Sequence, residues 1–528
     1  MRVFRIDGAA ERAVCGAGSL RRAAWAAFAA AVVAHLASLP NGFVFDDAQA
    51  ILGNPVVKGA FSVAAFFRTD FWGTAGTVGT YRPLPVLSFW IDWRLGGGTA
   101  WPFHIGNVLA HGLVAALLAV ALHRQAKAAW AAVIFGVLAV NTEAVASAVG
   151  RADLWATLGC VAAWAVLDTP AASRPKTRAA VAAVLLFAAL LCKEAAVAFV
   201  PVLFVVDGIL HPGPRRWARY LLPATAILAY VGVRLACFGT HPAAVSTFNN
   251  PLLGTSLPTR LWTSLDLLSR AVRLELLPFN LSPDYGAAEI LPAGVGSTGA
   301  WLGLAILVTL VAGAILVRKK APLFSAGAAL FLIAFGVVSN GFVVLPTIFA
   351  ERLLYFPSLG AAMMLGSGLA ALQARHRELA FIVAAPLLVF QLTMGVIHDR
   401  AWSSPLSLFS VAVEVSPHSA RAWTNYASAL SHVGRTQDAA AAARRSTELT
   451  PGWARPHALL GGFLDELGHF ETARAEFQTS YQLEPNDPDV VRNVAIFFAR
   501  HGGRADAQKI VDTFVKTHPS SELRNLLQ

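Results

Sequence analysis

The chain has 528 residues, 56% of them hydrophobic and 14% charged, and its mean hydropathy is +0.56. Those values exclude an ordinary water-soluble globule for most of the length. The formal charge of +11 does not point to a nucleic-acid partner, because its basic residues sit in short loops between apolar runs, where they set membrane orientation.

The basic stretch before Arg22, followed by the apolar run 23–40 with no convincing cleavage site, predicts an uncleaved first span. Further apolar runs at 104–122, 128–146, 154–168, 179–192, 195–210, 220–238, 299–317, 322–339, 356–373 and 379–397 bring the expectation to about eleven spans. Arg21 and Arg22, Arg124 and Lys127, Arg174, Lys176 and Arg178, Arg215, Arg216 and Arg219, Arg318, Lys319 and Lys320, and Arg375 and Arg377 then share one side. The positive-inside rule makes that side cytoplasmic. The segment 259–277 is long enough to cross but carries Arg260, Asp266, Arg270, Arg273 and Glu275, so it is expected to lie flat on the outer interface. Cys15, Cys160, Cys192 and Cys237 follow neither a disulfide framework nor a metal spacing.

Beyond Arg400 the texture becomes that of soluble helix. Pro417, Pro451, Pro485 and Pro519 are 34 residues apart, as are Gly434, Gly468 and Gly502, and Ala439, Ala473 and Ala507. This is the tetratricopeptide period, with repeats expected near 420–453, 454–487 and 488–521. Trp423, Tyr426 and Leu430, then Leu460, Gly461, Leu464 and Phe477, take that repeat's packing positions. Such a solenoid receives an extended peptide or a partner protein, or serves as a structural arm. The expected domains are therefore 1–400, embedded in the membrane, and 401–528, the repeats.

This topology gathers Asp46 and Asp47, Glu143, Arg151 and Asp153, Lys193 and Glu194, the run 280–285, and Glu351, Arg352 and Tyr355 on the outer face. Charged residues at span ends on one side suggest a shared polar cavity rather than unrelated interfacial caps. Asp47 would also suit the N-cap of a helix beginning near Ala48. Local pairing would join Arg151 to Asp153, Lys193 to Glu194 and Arg352 to Glu351. His104, Asn107 and His111 share one helix face, as a packing network, a substrate contact or a metal site. Packing or acceptor contact is favoured, because no further close ligand is evident.

The runs "FVFDDAQAILGNPVV", "YRPLPVLSFWIDWRL", "FHIGNVLAH", "GRADLWA", "CKEAAV", "LSPDY" and "ERLLYFPSLG", in that order and with repeats last, resemble the transmembrane and tetratricopeptide repeat-containing O-mannosyltransferases. These are polytopic glycosyltransferases of the GT-C fold class. The resemblance implies an all-α, GT-C-type membrane domain followed by an α-solenoid. It also implies a sugar, mannose in the family, moved from a polyprenyl-phosphate carrier to Ser or Thr hydroxyls of a protein held by the repeats.

It further implies an acidic pair in the first outer loop, with Asp46 as general base and Asp47 beside it. Cations on the same face, Arg82, Arg151, Lys193 and Arg352, are the candidates for the leaving phosphate. His104, Asn107, His111, Glu143, Asp153, Glu194, Glu351 and Tyr355 are candidate substrate contacts. No obligatory metal or cofactor is expected. The Ala- and Arg-rich usage suggests a bacterial member in the inner membrane, with the site and repeats facing the periplasm. The alternatives are a membrane-anchored scaffold for secretion or envelope assembly, a transporter, and a GT-C enzyme acting on lipid or polysaccharide.

Overall fold

A computed structural model describes residues 8–73, 79–123, 125, 129–168, 175–211, 218–240, 245–286, 288–518 and 523, with side chains from residue 18 onward, Ala218 excepted. Arg124, Lys127, Arg174, Arg215, Arg216, Pro519 and the Cys15 side chain lie outside the described residues. Helices build the whole of it, and no strand occurs among the described residues. Contacts divide the chain into two compact units, one of Met1–Val245, Gly254–Leu281 and Pro292–Ser404, the other of Ser246–Leu253, Ser282–Leu291 and Pro405–Gln528.

The first unit is a membrane bundle. Among the described residues, six helices are long and apolar enough to cross a bilayer: Gly18–Ser38, Trp101–Ala121, Pro175–Cys192, Arg219–Cys237, Thr298–Val317 and Arg377–Ala401. A seventh is formed if Ala129–Val137 and Ala139–Ala146, bent by 53°, count as one span. The expected eleven are thus not reached on length and composition. The other runs do form helices, but Phe199–Leu210 and Pro322–Val338 are short, with 12 and 17 residues, and Arg151–Asp168 carries three charges. Thr298–Val317 is the most apolar of the six and is only 11% buried, as lipid contact requires. The segment expected to lie flat is the helix Leu257–Leu276, which buries Thr263, Leu267, Leu268, Ala271, Leu274 and Glu275 along one face. Thr298–Val317 packs against it so closely that a Cβ on Gly303 would stand 1.8 Å from the Leu265 carbonyl oxygen.

The second unit contains three helix pairs: Ala420–His432 with Thr436–Leu449, Ala454–Glu466 with Phe470–Leu483, and Pro488–Arg500 with Arg504–Thr517. Gly434, Gly468 and Gly502 take φ of 77°, 80° and 84° at the turn within each pair, a left-handed conformation that closes a helix cheaply only with glycine. Ala439, Ala473 and Ala507 are wholly buried where the paired helices approach. The repeat extends to hydrogen bonds: Ser446 Oγ donates to Ala420 O at 2.7 Å, and 34 residues on Ser480 Oγ donates to Ala454 O at 2.9 Å. Two excursions from the earlier sequence belong to this unit. Asp284 accepts two hydrogen bonds from Arg421, whose third N–H reaches Asn249 Oδ1 at 2.8 Å. Phe248 stacks on Trp453 with ring centres 5.7 Å apart.

Candidate active site

The loop that follows the first span is tied down where it begins. His35 Nδ1 lies 3.1 Å from Asp399 Oδ1, and Asn41 Nδ2 donates to the Asp399 carbonyl at 2.9 Å, tying the loop to the helix Arg377–Ala401. Phe45 then adopts φ of 52°, an unusual conformation for a bulky residue. It turns the chain so that the two acids beyond it diverge.

Asp47 is fully buried. It accepts from Val44 N at 3.1 Å and Val149 N at 2.9 Å, with longer contacts to Ala148 N and Ser147 Oγ at 3.4 Å. It therefore staples the loop to the segment 147–149. Its side chain does not cap the helical turn Ala48–Leu52. The staple needs glycine beside it, since a Cβ on Gly150 would stand 2.2 Å from the Ala144 carbonyl oxygen. Asp46 keeps about a fifth of its side chain exposed and lies 3.5 Å from Arg352 Nη2.

Burial pushes the Asp47 carboxyl up to about 7, against the pull of the Val44, Val149 and Ala148 amides, with Asp46 adding a small further rise. A carboxyl held above its unfolded value binds its proton more tightly in the native state, so it costs stability as pH rises from about 4 to about 7. The stability advantage of the wild type over Asp47→Asn should shrink across that window by up to roughly 4 kcal/mol. The gap between their melting temperatures in detergent, followed against pH, checks this.

Around Asp46 the structure gathers three cations and three further acids. Arg352 is ion-paired to Glu143, and its backbone N–H donates to Glu143 Oε2 at 2.8 Å. Arg82 grips Glu194 with two N–H groups, at 2.8 and 3.2 Å. Half of the Glu194 side chain is exposed, so the desolvation that opposes its ionisation is outweighed, and this fork holds its carboxyl down at about 2. Lys193 is buried against Asp153. The three pairs sense one another: Asp153 and Arg352 both act on Arg82, and Arg82 and Arg352 both act on Lys193.

These pairings correct the expected local ones. Arg151 pairs with Asp92, not Asp153; Lys193 with Asp153, not Glu194; and Arg352 with Glu143 and Asp46. Arg151 is fully buried away from the three-cation group. It donates to Asn107 Oδ1 at 3.0 Å, Ser88 Oγ at 3.2 Å and Phe103 O at 2.8 Å, and Gly106 makes room for it.

The polar face of Trp101–Ala121 is likewise internal. Asn107 Nδ2 donates to Ser147 O at 2.8 Å and Val145 O at 3.2 Å. His111 Nδ1 meets Tyr355 Oη at 2.8 Å. His104 is wholly buried. Glu351 is buried, and together with Arg352 it begins the short helix Glu351–Leu354. Two participants were missed in the sequence, Asp92 and Ser147. Asp92 was detectable, since a lone acid in the apolar helix Pro83–Leu95 calls for a partner; nothing marked Ser147.

Among the described residues, one group could hold a metal ion: Asp168, Asp207 and His211, with ligand atoms within 4.8 Å of one another. Asp168 ends the helix that Arg151 begins, roughly 25 Å along its axis, so this group is not part of the acid–cation cluster. Beside the cluster lies an open pocket of about 450 Å³, charged at Asp153 and Lys193 and otherwise mostly apolar, with Ala156, Ala334, Val338 and Phe356 among its walls.

Fold and site together define a polytopic helical membrane protein with a tetratricopeptide solenoid and a compact acid–cation cluster. The chain is a homologue of the transmembrane and tetratricopeptide repeat-containing protein O-mannosyl-transferases, the family its motifs resemble. It is 27% identical to the protein O-mannosyl-transferase F38B6.6 of Caenorhabditis elegans over 426 residues, which is 77% of this chain and 60% of that protein. It is 36% identical to Drosophila melanogaster Tmtc2 over 278 residues, 48% of this chain and 29% of that one. It is 28% identical to human TMTC4 over 469 residues, 76% and 63% respectively. The chain thus spans less than two thirds of the length of these relatives. No family model matches it.

Proposed function

We propose that this protein is an inverting glycosyltransferase that moves a sugar, mannose, from a polyprenyl-phosphate carrier to Ser or Thr hydroxyls of proteins on the outer side of the membrane. The observation that carries this reading is the Asp46–Arg352–Glu143 arrangement at the end of the bundle, with Arg82 and Lys193 in electrostatic reach. Asp46 is the acid of the first-loop pair that stays accessible, which suits it to accept the proton of the attacking hydroxyl. That oxygen forms a bond to the anomeric carbon as the bond from that carbon to phosphate oxygen breaks. The electron pair leaves with the phosphate, where Arg352, Arg82 and Lys193 offset its charge. Asp47 and Arg151 act by position: one pins the loop bearing Asp46, the other braces the helix start beside it.

The relatives' names support mannose and a protein acceptor, and the solenoid supports acceptor capture. The bundle supports a lipid-borne donor, and the basic loops support an exoplasmic site. Anchoring a scaffold requires one span, so a bundle of at least six is unexplained by that alternative. Comparing Ser- and Thr-linked hexose on exported proteins between a deletion strain and the same strain complemented with the gene tests the proposal. Loss of a specific set of glycopeptides on deletion, with recovery on complementation, is expected; an unchanged glycoproteome would end it.

A further inference from the structure

The run "LSPDY" takes no part in the acid–cation cluster. Its Asp284 belongs to the solenoid's unit and is held there by Arg421, the second residue of the helix Ala420–His432 that opens the first repeat. Arg421 Nε and Nη2 reach the two carboxylate oxygens at 2.5 and 2.7 Å. Gly286 leaves room for this fork, since a Cβ there would stand 3.0 Å from Arg421 Nη2. The same segment follows the start of the repeat: Ser416 Oγ donates to Ser282 Oγ at 3.0 Å, and His418 N donates to Glu289 Oε2 at 3.0 Å. Phe248, from the other excursion, reaches on to Trp453. The first repeat thus grips an acidic, irregular segment of its own chain.

The second repeat presents the same residue in the same place. Arg455 is the second residue of the helix Ala454–Glu466, one 34-residue period after Arg421. The two registers match in detail, because the carbonyls just before these arginines, Ala420 O and Ala454 O, accept equivalent serine hydroxyls. Equivalent positions in stacked repeats share one face of a solenoid. Arg455 is exposed, lies two residues beyond Trp453, and makes no hydrogen bond or ion pair among the described residues. Asp487 and Asp489 act on it only at longer range. Both are engaged elsewhere: Asp487 caps the next helix through Asp489 N and Val490 N at 2.8 and 2.9 Å, and Asp489 pairs with Arg492 at 2.7 Å. A guanidinium is a planar fork whose natural complement is a carboxylate.

We propose that Arg455 is the docking point for an Asp or Glu side chain of an extended acceptor peptide, gripped as Arg421 grips Asp284 one repeat earlier. The inference rests on the protein acceptor of the proposed function and adds to it a preference: acceptors carry acidic residues in the segment that the repeats hold.

Fluorescence anisotropy with the full chain in nanodiscs and no sugar donor tests the surface by itself. The probes are a fluorescein-labelled Ser/Thr peptide interspersed with aspartates, and twins with asparagines or lysines in their place. The acidic peptide is expected to bind about tenfold tighter than its asparagine twin, as one charge-assisted contact supplies. Arg455→Gln should lose that preference and Arg455→Glu should turn it toward the lysine twin. Arg474→Gln, at an exposed arginine of the second helix Phe470–Leu483, should keep it. Equal binding of the twins by the wild type, or a preference that survives Arg455→Gln, would overturn the proposal. Transfer from lipid-linked mannose separates the two levels of failure. Arg455→Gln should raise the KM for the acidic peptide by about the same factor as its binding constant. An unchanged KM would reject the docking point alone, whereas a wild type that discriminates in binding yet transfers to no peptide would reject the transferase reading.

Discussion

Asp46→Asn is expected to lower the transfer rate by about 10²–10⁴-fold, the range a positioned general base supplies, with little change in melting temperature. The amide keeps the shape of the carboxylate and a carbonyl oxygen that can still face Arg352, 3.5 Å away in the native protein, but it cannot take up the acceptor's proton. Asparagine matches aspartate in volume, so the substitution opens no cavity although most of this side chain is covered. Steady-state rates at saturating donor and acceptor, together with a thermal melt in detergent, read both quantities. A variant with native rate would move the base elsewhere. A variant that is simply unstable would give Asp46 a structural role like that of Asp47.

The second large effect concerns Arg352. Arg352→Ala leaves Glu143, which has no exposed side-chain surface, as a buried acid without its cation, and removing one partner of such a pair costs about 3–5 kcal/mol. Rate should collapse with stability. The double variant Arg352→Ala with Glu143→Gln removes the stranded charge, so it is expected to regain most of the melting temperature while activity stays lost. If the double variant recovered activity along with stability, Arg352 would be a brace for the loop and not a cation for the leaving phosphate.

The solenoid was readable in the sequence because its constraints are local: a glycine with positive φ within each pair and an alanine at each helix crossing recur at a fixed step. The gathering of Asp46, Glu143, Asp153, Lys193, Glu194 and Arg352 followed from topology, since apolar runs and loop charges decide which span ends share a side. The partners did not follow. Arg151 and Asp153 are two apart on a helix and point away from each other, because side chains that meet on a helix are three or four residues apart. Asp92, distant in sequence, meets Arg151 instead. Adjacent Lys193 and Glu194 diverge because Lys193 is extended while Glu194 opens the short helix Glu194–Ala198, and they find Asp153 and Arg82.

The expected eleven spans are not reached on length and composition for another reason. An apolar run reports burial, in lipid or in protein alike: Phe199–Leu210 buries Phe199, Val202, Leu203, Val206 and Leu210, and Pro322–Val338 buries Leu323, Leu330, Phe331 and Phe335. The face shared by His104, Asn107 and His111 was visible as a face. That it closes on Arg151, Tyr355 and the carbonyls of Val145 and Ser147 required the tertiary structure. So did the two excursions, Ser246–Leu253 and Ser282–Leu291, which join the solenoid's unit from within the preceding sequence. No linear boundary near residue 400 could include them.

The most direct measurement is a transfer assay with the purified full chain in nanodiscs, given a Ser/Thr-rich acceptor peptide and radiolabelled mannose on either a polyprenyl phosphate or a nucleoside diphosphate. Labelled peptide should form from the lipid-linked donor alone, with wild-type protein and not with Asp46→Asn. Label arriving from the nucleotide donor, or equally with both proteins, would contradict the account.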